Sequence, residues 1–184
     1  MSGFVLWFTG LSGAGKTTIA NSVEPELERR GFVVDLLDGD IVRTHLSKGL
    51  GFSKEDRDTN IARIGWVASR LARAGAVVVV SAISPYEEMR RHARSLVEQH
   101  APFVEIYVAT SLEECARRDP KGLYAAAFAG EIEEFTGVSA PYEEPVDPEL
   151  RLETMGRTPS ESAAAVLERL GELNLIPERV ESEL

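Results

Sequence analysis

The chain is poor in cysteine, in lysine and in long apolar runs, and each shortage removes a class of function. One cysteine, Cys115, in 184 residues permits no internal disulfide and no thiolate zinc cluster. The longest apolar run, Ala74–Ala82, contains Gly75 and Ser81 and falls far short of the ~20 residues of a membrane helix. No basic stretch precedes an apolar one at the N-terminus, so no leader peptide is expected. Twenty Lys+Arg face 30 Asp+Glu, a net charge of -10. A general nucleic-acid binder needs a surface that neutralises phosphates, and this chain lacks the cations for one. A small anionic substrate needs only a few local cations and stays open. His45, His92 and His100 have no metal-ligand spacing. What remains is a single cytoplasmic domain over residues 1–184, with no membrane or nucleic-acid partner.

Buried strands alternate with helices along the chain. Phe4–Thr9 is a continuous apolar run, the pattern of a strand covered on both faces. A glycine-rich turn follows, then a helix from about Lys16 to Arg30, stopped by Gly31. Val33–Leu37 reads as a second buried strand, ending at Asp38-Gly39-Asp40. Ser53 is a helix cap with acids behind it, and Ile61, Ile64, Ala68 and Leu71 recur at helical spacing up to Gly75. Ala76–Ala82 is a third strand, and Pro85 suits the first turn of a helix running towards His100. Phe103–Val108 is a fourth strand and Leu112–Arg118 a short helix. Residues 119–148 lose periodicity and gain Gly, Pro and acids, as lids do. Arg151–Glu153 reads as a short last strand, and a final helix runs from an Ser160 cap to Leu173. The expectation is an α/β fold, a mostly parallel five-stranded sheet with helices on both faces. Ligands in such folds sit at the carboxyl ends of the strands, where the polar clusters of this chain fall.

Gly10-Leu-Ser-Gly-Ala-Gly-Lys16-Thr17 matches the P-loop pattern in full. Its glycines let backbone N–H groups turn inward around phosphate, and the following helix adds its positive end. Lys16 can reach the β- and γ-phosphates, and Thr17 can ligate magnesium. Asp38-Gly-Asp40-x-x-Arg43 follows the second strand. Its carboxylates and arginine can hold a metal, accept a proton from a hydroxyl, or clamp an anion. The plainer role is a turn in which Asp40 caps a helix. Arg57 and Asn60 share one helix face, with Phe52 before them placed to stack on a base. By spacing alone that cluster reads as a solvated helix start.

These segments are joined by strings of a more specific kind. They are Gly51-Phe-Ser53 followed by Asp56-Arg57-x-x-Asn60-Ile61, and Ile83-Ser-Pro-Tyr86. Further on come Arg118-Asp-Pro-Lys-Gly-Leu-Tyr124, Gly130-Glu-Ile-x-x-Phe-Thr-Gly137 and Pro141-Tyr-Glu143. In this order, from Phe4 to about Leu173, they resemble the adenylylsulfate kinase (APS kinase) family of P-loop kinases. The resemblance implies transfer of the γ-phosphoryl of MgATP to the 3′-hydroxyl of adenosine 5′-phosphosulfate (APS). It implies that Gly10, Leu11, Ser12, Gly13, Ala14, Gly15, Lys16, Thr17 and Thr18, with Arg118, hold ATP. Thr17 and Asp38 would hold Mg2+. Lys16, Asp38, Ser84 and Lys121 would form the catalytic group. Asp40, Arg43, Phe52, Arg57, Asn60, Ile83, Ser84, Lys121, Leu123 and Phe135 would bind APS, with Phe52 and Phe135 flanking its adenine. A homodimer, and fusion to or association with ATP sulfurylase, are also implied.

The lid departs from the family pattern. Relatives carry basic residues after Gly-Leu-Tyr, where this chain has Ala125-Ala-Ala-Phe128. Ser84 stands at a position often labelled a phosphoserine intermediate, but no histidine lies near it in sequence to activate it. It is expected to act through its main chain and by hydrogen bonding. Two other readings are a related kinase with another nucleotide-linked acceptor, and a silent regulatory domain. Lys16 and Thr17, both retained, argue against the second.

Overall fold

The computed structural model describes residues 2–177. Strands and helices alternate in the order β1 (Phe4–Thr9), α1 (Lys16–Arg29), β2 (Val34–Asp38), α2 (Gly39–His45), α3 (Lys54–Arg73) and β3 (Val77–Ser81). There follow α4 (Glu87–Val97), β4 (Phe103–Val108), α5 (Leu112–Arg118), α6 (Leu123–Phe128), β5 (Leu150–Leu152) and α7 (Pro159–Glu172). The five strands form one sheet in the order β2-β3-β1-β4-β5. All four pairings are parallel, so the expected mostly parallel sheet is wholly so.

Alternation along β1 divides the molecule into two cores. Phe4, Leu6 and Phe8 face α1 and α7, joining Ile19, Val23, Leu27, Val166 and Leu170. Val5 and Trp7 face the other way, joining Ile61, Ile64 and Ala68 of α3 and Ala93 and Val97 of α4. Every residue of β1, β3 and β4 is buried, as continuous apolar runs require of central strands.

Several boundaries differ from the sequence reading, each for a local reason. The second strand is an edge, so Val34, Leu36 and Leu37 are only half-buried and Val33 lies exposed before it. Pro85 stands outside α4, whose N-cap is Tyr86 and which ends at Val97. The last helix is capped by Thr158, not Ser160: Thr158 and Glu161 form a capping box with Pro159 at the first turn. Asp38, not Asp40, caps α2, its Oδ1 accepting from the Asp40 N–H at 3.0 Å. Within residues 119–148 lies α6, which aperiodic composition concealed. Asp119 accepts from the N–H groups of Tyr124 and Ala125 at 3.1 and 3.0 Å and so starts this helix from upstream.

Candidate active site

The carboxyl ends of β1, β2 and β3 open onto one cavity of about 610 Å³. Its floor is the turn between β1 and α1. A Cβ on Gly10 would stand 2.6 Å from the Val108 carbonyl oxygen, so only glycine lets β1 turn here against β4. Gly15 adopts φ +106° where α1 begins, which a side chain would strain. Lys16 is buried beneath the turn, and its Nζ donates to the Gly10 and Leu11 carbonyls at 2.9 and 2.7 Å. Among the described residues it has no carboxylate as hydrogen-bond partner. Burial therefore lowers its pKa to about 8, against smaller opposing pulls from Asp38 and Asp40. A cation in that state favours an incoming anion.

Thr17, Asp38 and Ser81 meet beside it. Thr17 Oγ1 donates to Asp38 Oδ2 at 2.7 Å and lies 2.9 Å from Ser81 Oγ. Among the described residues no three His, Cys, Asp or Glu side chains gather as a metal cage. One hydroxyl beside one carboxylate fits Mg2+, which keeps several waters and takes other oxygens from phosphate.

The opposite side of the cavity is built by α2, α3 and two loops. Asp40 reaches from α2 to form an ion pair with Lys121 of the lid. Arg43 donates to the Gly51 carbonyl at 2.9 Å, with its guanidinium 4.6 Å from the centre of the Phe52 ring. Burial first, then the like charge of Arg57, lowers its pKa, which again favours a bound anion. Phe52 is 63% exposed at the cavity wall. Phe135 lines the same cavity from the lid, edge-on to Tyr124 at 5.0 Å between ring centres. Asn60 is buried, and its Oδ1 has no hydrogen-bond partner among the described residues. Arg57 is engaged, donating through Nε to the Phe52 carbonyl at 2.8 Å and through Nη1 to Thr136 at 2.5 Å. Its Nη2 donates to the Glu134 carbonyl.

Ile83 and Ser84 close the cavity behind β3. Ser84 is 1% exposed and adopts φ +42°, an unusual conformation for a side-chain-bearing residue. Its hydroxyl accepts from Trp7 Nε1 at 3.1 Å and donates to Thr9 Oγ1 at 2.9 Å.

The cavity therefore gathers Ser12, Gly13, Gly15, Lys16, Thr17, Thr18, Asp38, Asp40, Arg43, Phe52, Arg57, Asn60, Ile83, Ser84, Lys121, Leu123 and Phe135. Gly10, Leu11 and Ala14 frame the turn without lining the cavity. Arg118 also lies outside it, bound to Glu114 at 2.8 Å with Nη1 3.5 Å from the Ala14 carbonyl. Three participants escaped the sequence reading. Tyr124 OH donates to the Ser12 carbonyl at 2.9 Å, and Thr110 Oγ1 to that of Ala14 at 2.8 Å, so both brace the P-loop. Thr136 receives Arg57. Tyr124 and Thr136 lie inside the lid strings that carry the resemblance, which was the available signal.

Comparison with known proteins agrees with this geometry. The family model described as adenylylsulphate kinase matches residues 2–153. A protein of Sorangium cellulosum named probable bifunctional SAT/APS kinase 2 is 53% identical over 97% of this chain, which spans 30% of that longer protein. The adenylyl-sulfate kinase of Rippkaea orientalis is 51% identical over 97% of both chains. The solved APS kinase CysC of Mycobacterium tuberculosis, in complex with AMPPNP and APS, superposes with a TM-score of 0.89 at 46% identity. That match covers 92% of this chain and 98% of the other. With a P-loop turn, a hydroxyl–carboxylate pair and an aromatic wall in one cavity, and with these matches, the chain belongs to the adenylylsulphate kinase family.

Proposed function

We propose that this chain transfers the γ-phosphoryl group of ATP to the 3′-hydroxyl of adenosine 5′-phosphosulfate, releasing ADP. Residues 1–184 act as one kinase unit, with 119–148 as its lid. The observation that carries this reading is Asp38. It touches the phosphate-binding side through Thr17 and the acceptor side through the Asp40 N–H. A carboxylate at that junction is placed to hold the acceptor hydroxyl in line with the γ-phosphorus and to take its proton. As the new O–P bond forms, the bond from the γ-phosphorus to the bridging oxygen breaks, and ADP leaves with that electron pair.

Bound Mg2+, held by Thr17 and Asp38, would supply neutralising charge on the transferred group. Lys16 exchanges its carbonyl partners for β- and γ-phosphate oxygens. Lys121 stands over the same opening from the lid. Arg43, Asp40 and Asn60 hold the acceptor, and Phe52 and Phe135 take its base. Arg57, whose donors are committed to the Phe52 and lid backbones, contributes by fixing both aromatic positions. The Ser84 hydroxyl is oriented between Trp7 and Thr9 and does not serve as a nucleophile.

The decisive experiment is ADP release from MgATP with and without APS, with other adenosine and cytidine nucleotides in parallel. APS-dependent release with little response to the others is expected. A stronger response to another nucleotide would favour the related-kinase reading, and no release at all the silent domain. A cytoplasmic location fits the composition; among the described residues no helix is long and apolar enough to cross a membrane. A homodimer and a link to ATP sulfurylase are proposed on kinship, the second in view of the bifunctional relative.

A further inference from the structure

Behind the acceptor wall, outside the cavity, a guanidinium is buried that phosphoryl transfer does not itself require. Arg90 on α4 is 1% exposed. Its Nη1 donates to the Ser84 carbonyl at 2.8 Å and its Nη2 to the Glu143 carbonyl at 2.7 Å. Nη2 also reaches Glu87 at 2.5 Å, and Nε stands 2.9 Å from Glu105 on β4. One rigid fork thus spans the two main-chain segments that close the acceptor side. The first is the turn after β3, with Ser84 at φ +42°. The second is the end of the lid.

The same two segments are tied again around it. The Glu143 N–H donates to the Pro85 carbonyl at 2.8 Å, and the Glu87 N–H donates to the Glu143 carboxylate at 2.8 Å. Tyr142, with Arg90 5.9 Å from its ring centre, places its hydroxyl 2.9 Å from Thr9 Oγ1, which also receives Ser84. An unusual backbone conformation persists where its surroundings over-determine it. Here the Ser84 carbonyl is held by Arg90 and its hydroxyl by Trp7 and Thr9.

We propose that Arg90 is a positioning residue for the acceptor substrate. It acts through the Ser84 carbonyl and the Glu143 carbonyl, holding the turn at Ile83–Pro85 and the lid end in one geometry. The inference rests on the kinase reading above, together with the family resemblance by which Ile83 and Ser84 bind the acceptor. The P-loop hangs from β1 and α1, and among the described residues no hydrogen bond or ion pair joins it to Arg90. Loss of the fork therefore disturbs the acceptor and spares the nucleotide.

The test uses the full chain and separates KM for APS from KM for ATP. Arg90→Lys keeps the charge but is a point donor that cannot span two carbonyls. Its KM for APS is expected to rise roughly tenfold, since small misplacements are costly in such sites, with KM for ATP within about twofold. The double variant Arg90→Met with Glu105→Gln removes both ends of the buried pair, leaves no lone ion, and is expected to show the same split. A parallel rise in both KM values overturns the proposal, as does a lower melting temperature with unchanged kinetics. Failure of both variants to fold would assign Arg90 to stability and overturn it too. If wild-type enzyme shows no APS-dependent ADP release, the kinase reading itself falls, a result distinct from all of these.

Discussion

A lysine that loses its water without gaining a carboxylate keeps its charge poorly, and Lys16 is such a group. Lys16→Ala should abolish turnover while the melting temperature stays near that of wild type, because one cation placed where charge develops is worth several kcal/mol. Retention of a tenth of wild-type activity would contradict this. The lowered pKa of about 8 also fixes a sign. From about pH 8 up to the ordinary lysine value of 10.5, the unfolded chain holds a proton that the folded one lacks, so Lys16 adds stability as pH rises. Nucleotide phosphate restores the charge. Binding should take up a proton above about pH 8 and weaken as pH climbs, which calorimetry in two buffers of different ionisation enthalpy would register. Asp38 and Asp40 part in a similar way. Asp38→Asn should lower kcat, since the neutral amide no longer takes the acceptor's proton, while Asp40→Asn should chiefly raise KM for APS. Ser84 was readable as a site residue, but its φ and its hydroxyl partners were not, because they depend on Trp7 and Thr9 across the sheet. Ser84→Ala should therefore retain substantial activity, and enzyme incubated with γ-labelled ATP alone should carry no stoichiometric label.

Helices in this chain announce themselves by period and only some by their start: the Ser53 cap of α3 was legible, the Thr158 cap of α7 was not. The Thr158–Glu161 box was present as letters, yet the weaker Ser160 candidate stood beside it, and the reciprocal hydrogen bonds of the box start α7. Thr158→Ala should cost about 1 kcal/mol in a denaturant titration and leave kinetics unchanged. Contact between α3 and α4 was invisible for a different reason, since nothing in Gly65 itself says what it faces. A Cβ there would stand 2.9 Å from Ala93 Cβ and 3.0 Å from its Cα, so the two helices meet through this glycine. Gly65→Ala gains helix propensity elsewhere but here should destabilise by about 1–3 kcal/mol through overpacking. It should also raise KM for APS, because α3 carries Arg57 and Asn60. A more stable Gly65→Ala protein would show that the helices separate freely. Residues 119–148 read as an aperiodic segment, and the helix inside them did not show. Ala125, Ala126 and Ala127 form the middle of α6, where alanine is the strongest helix former. Phe128 stands exposed at its end.

On the proposed reading, the strand order β2-β3-β1-β4-β5 has donor and acceptor meet different parts of one sheet. The phosphate turn follows β1 and leads into α1, which packs in one core. The acceptor wall rises from α3 and the ends of β2 and β3, with α3 packed in the other core. Continuous apolar runs made it readable that the strands are covered on both faces, whereas the strand order and the ties across the lid come from pairs distant in sequence, such as Arg57 with Thr136. Two ligands bound to separately supported walls should stabilise the fold separately. At a hundredfold excess over Kd each adds about 2.7 kcal/mol, because it binds only the folded state. For a chain of this size that is a rise of roughly 5–10 °C in Tm per ligand. Lys16→Ala should lose the shift given by a non-hydrolysable MgATP analogue and keep the one given by APS. Phe52→Ala should do the reverse, since a base–aromatic contact is worth about 1–3 kcal/mol. If Lys16→Ala loses both shifts, the walls are not independent: the lid, joined to the acceptor side through Lys121 and Asp40 and to the P-loop through Tyr124, couples them into one closing unit.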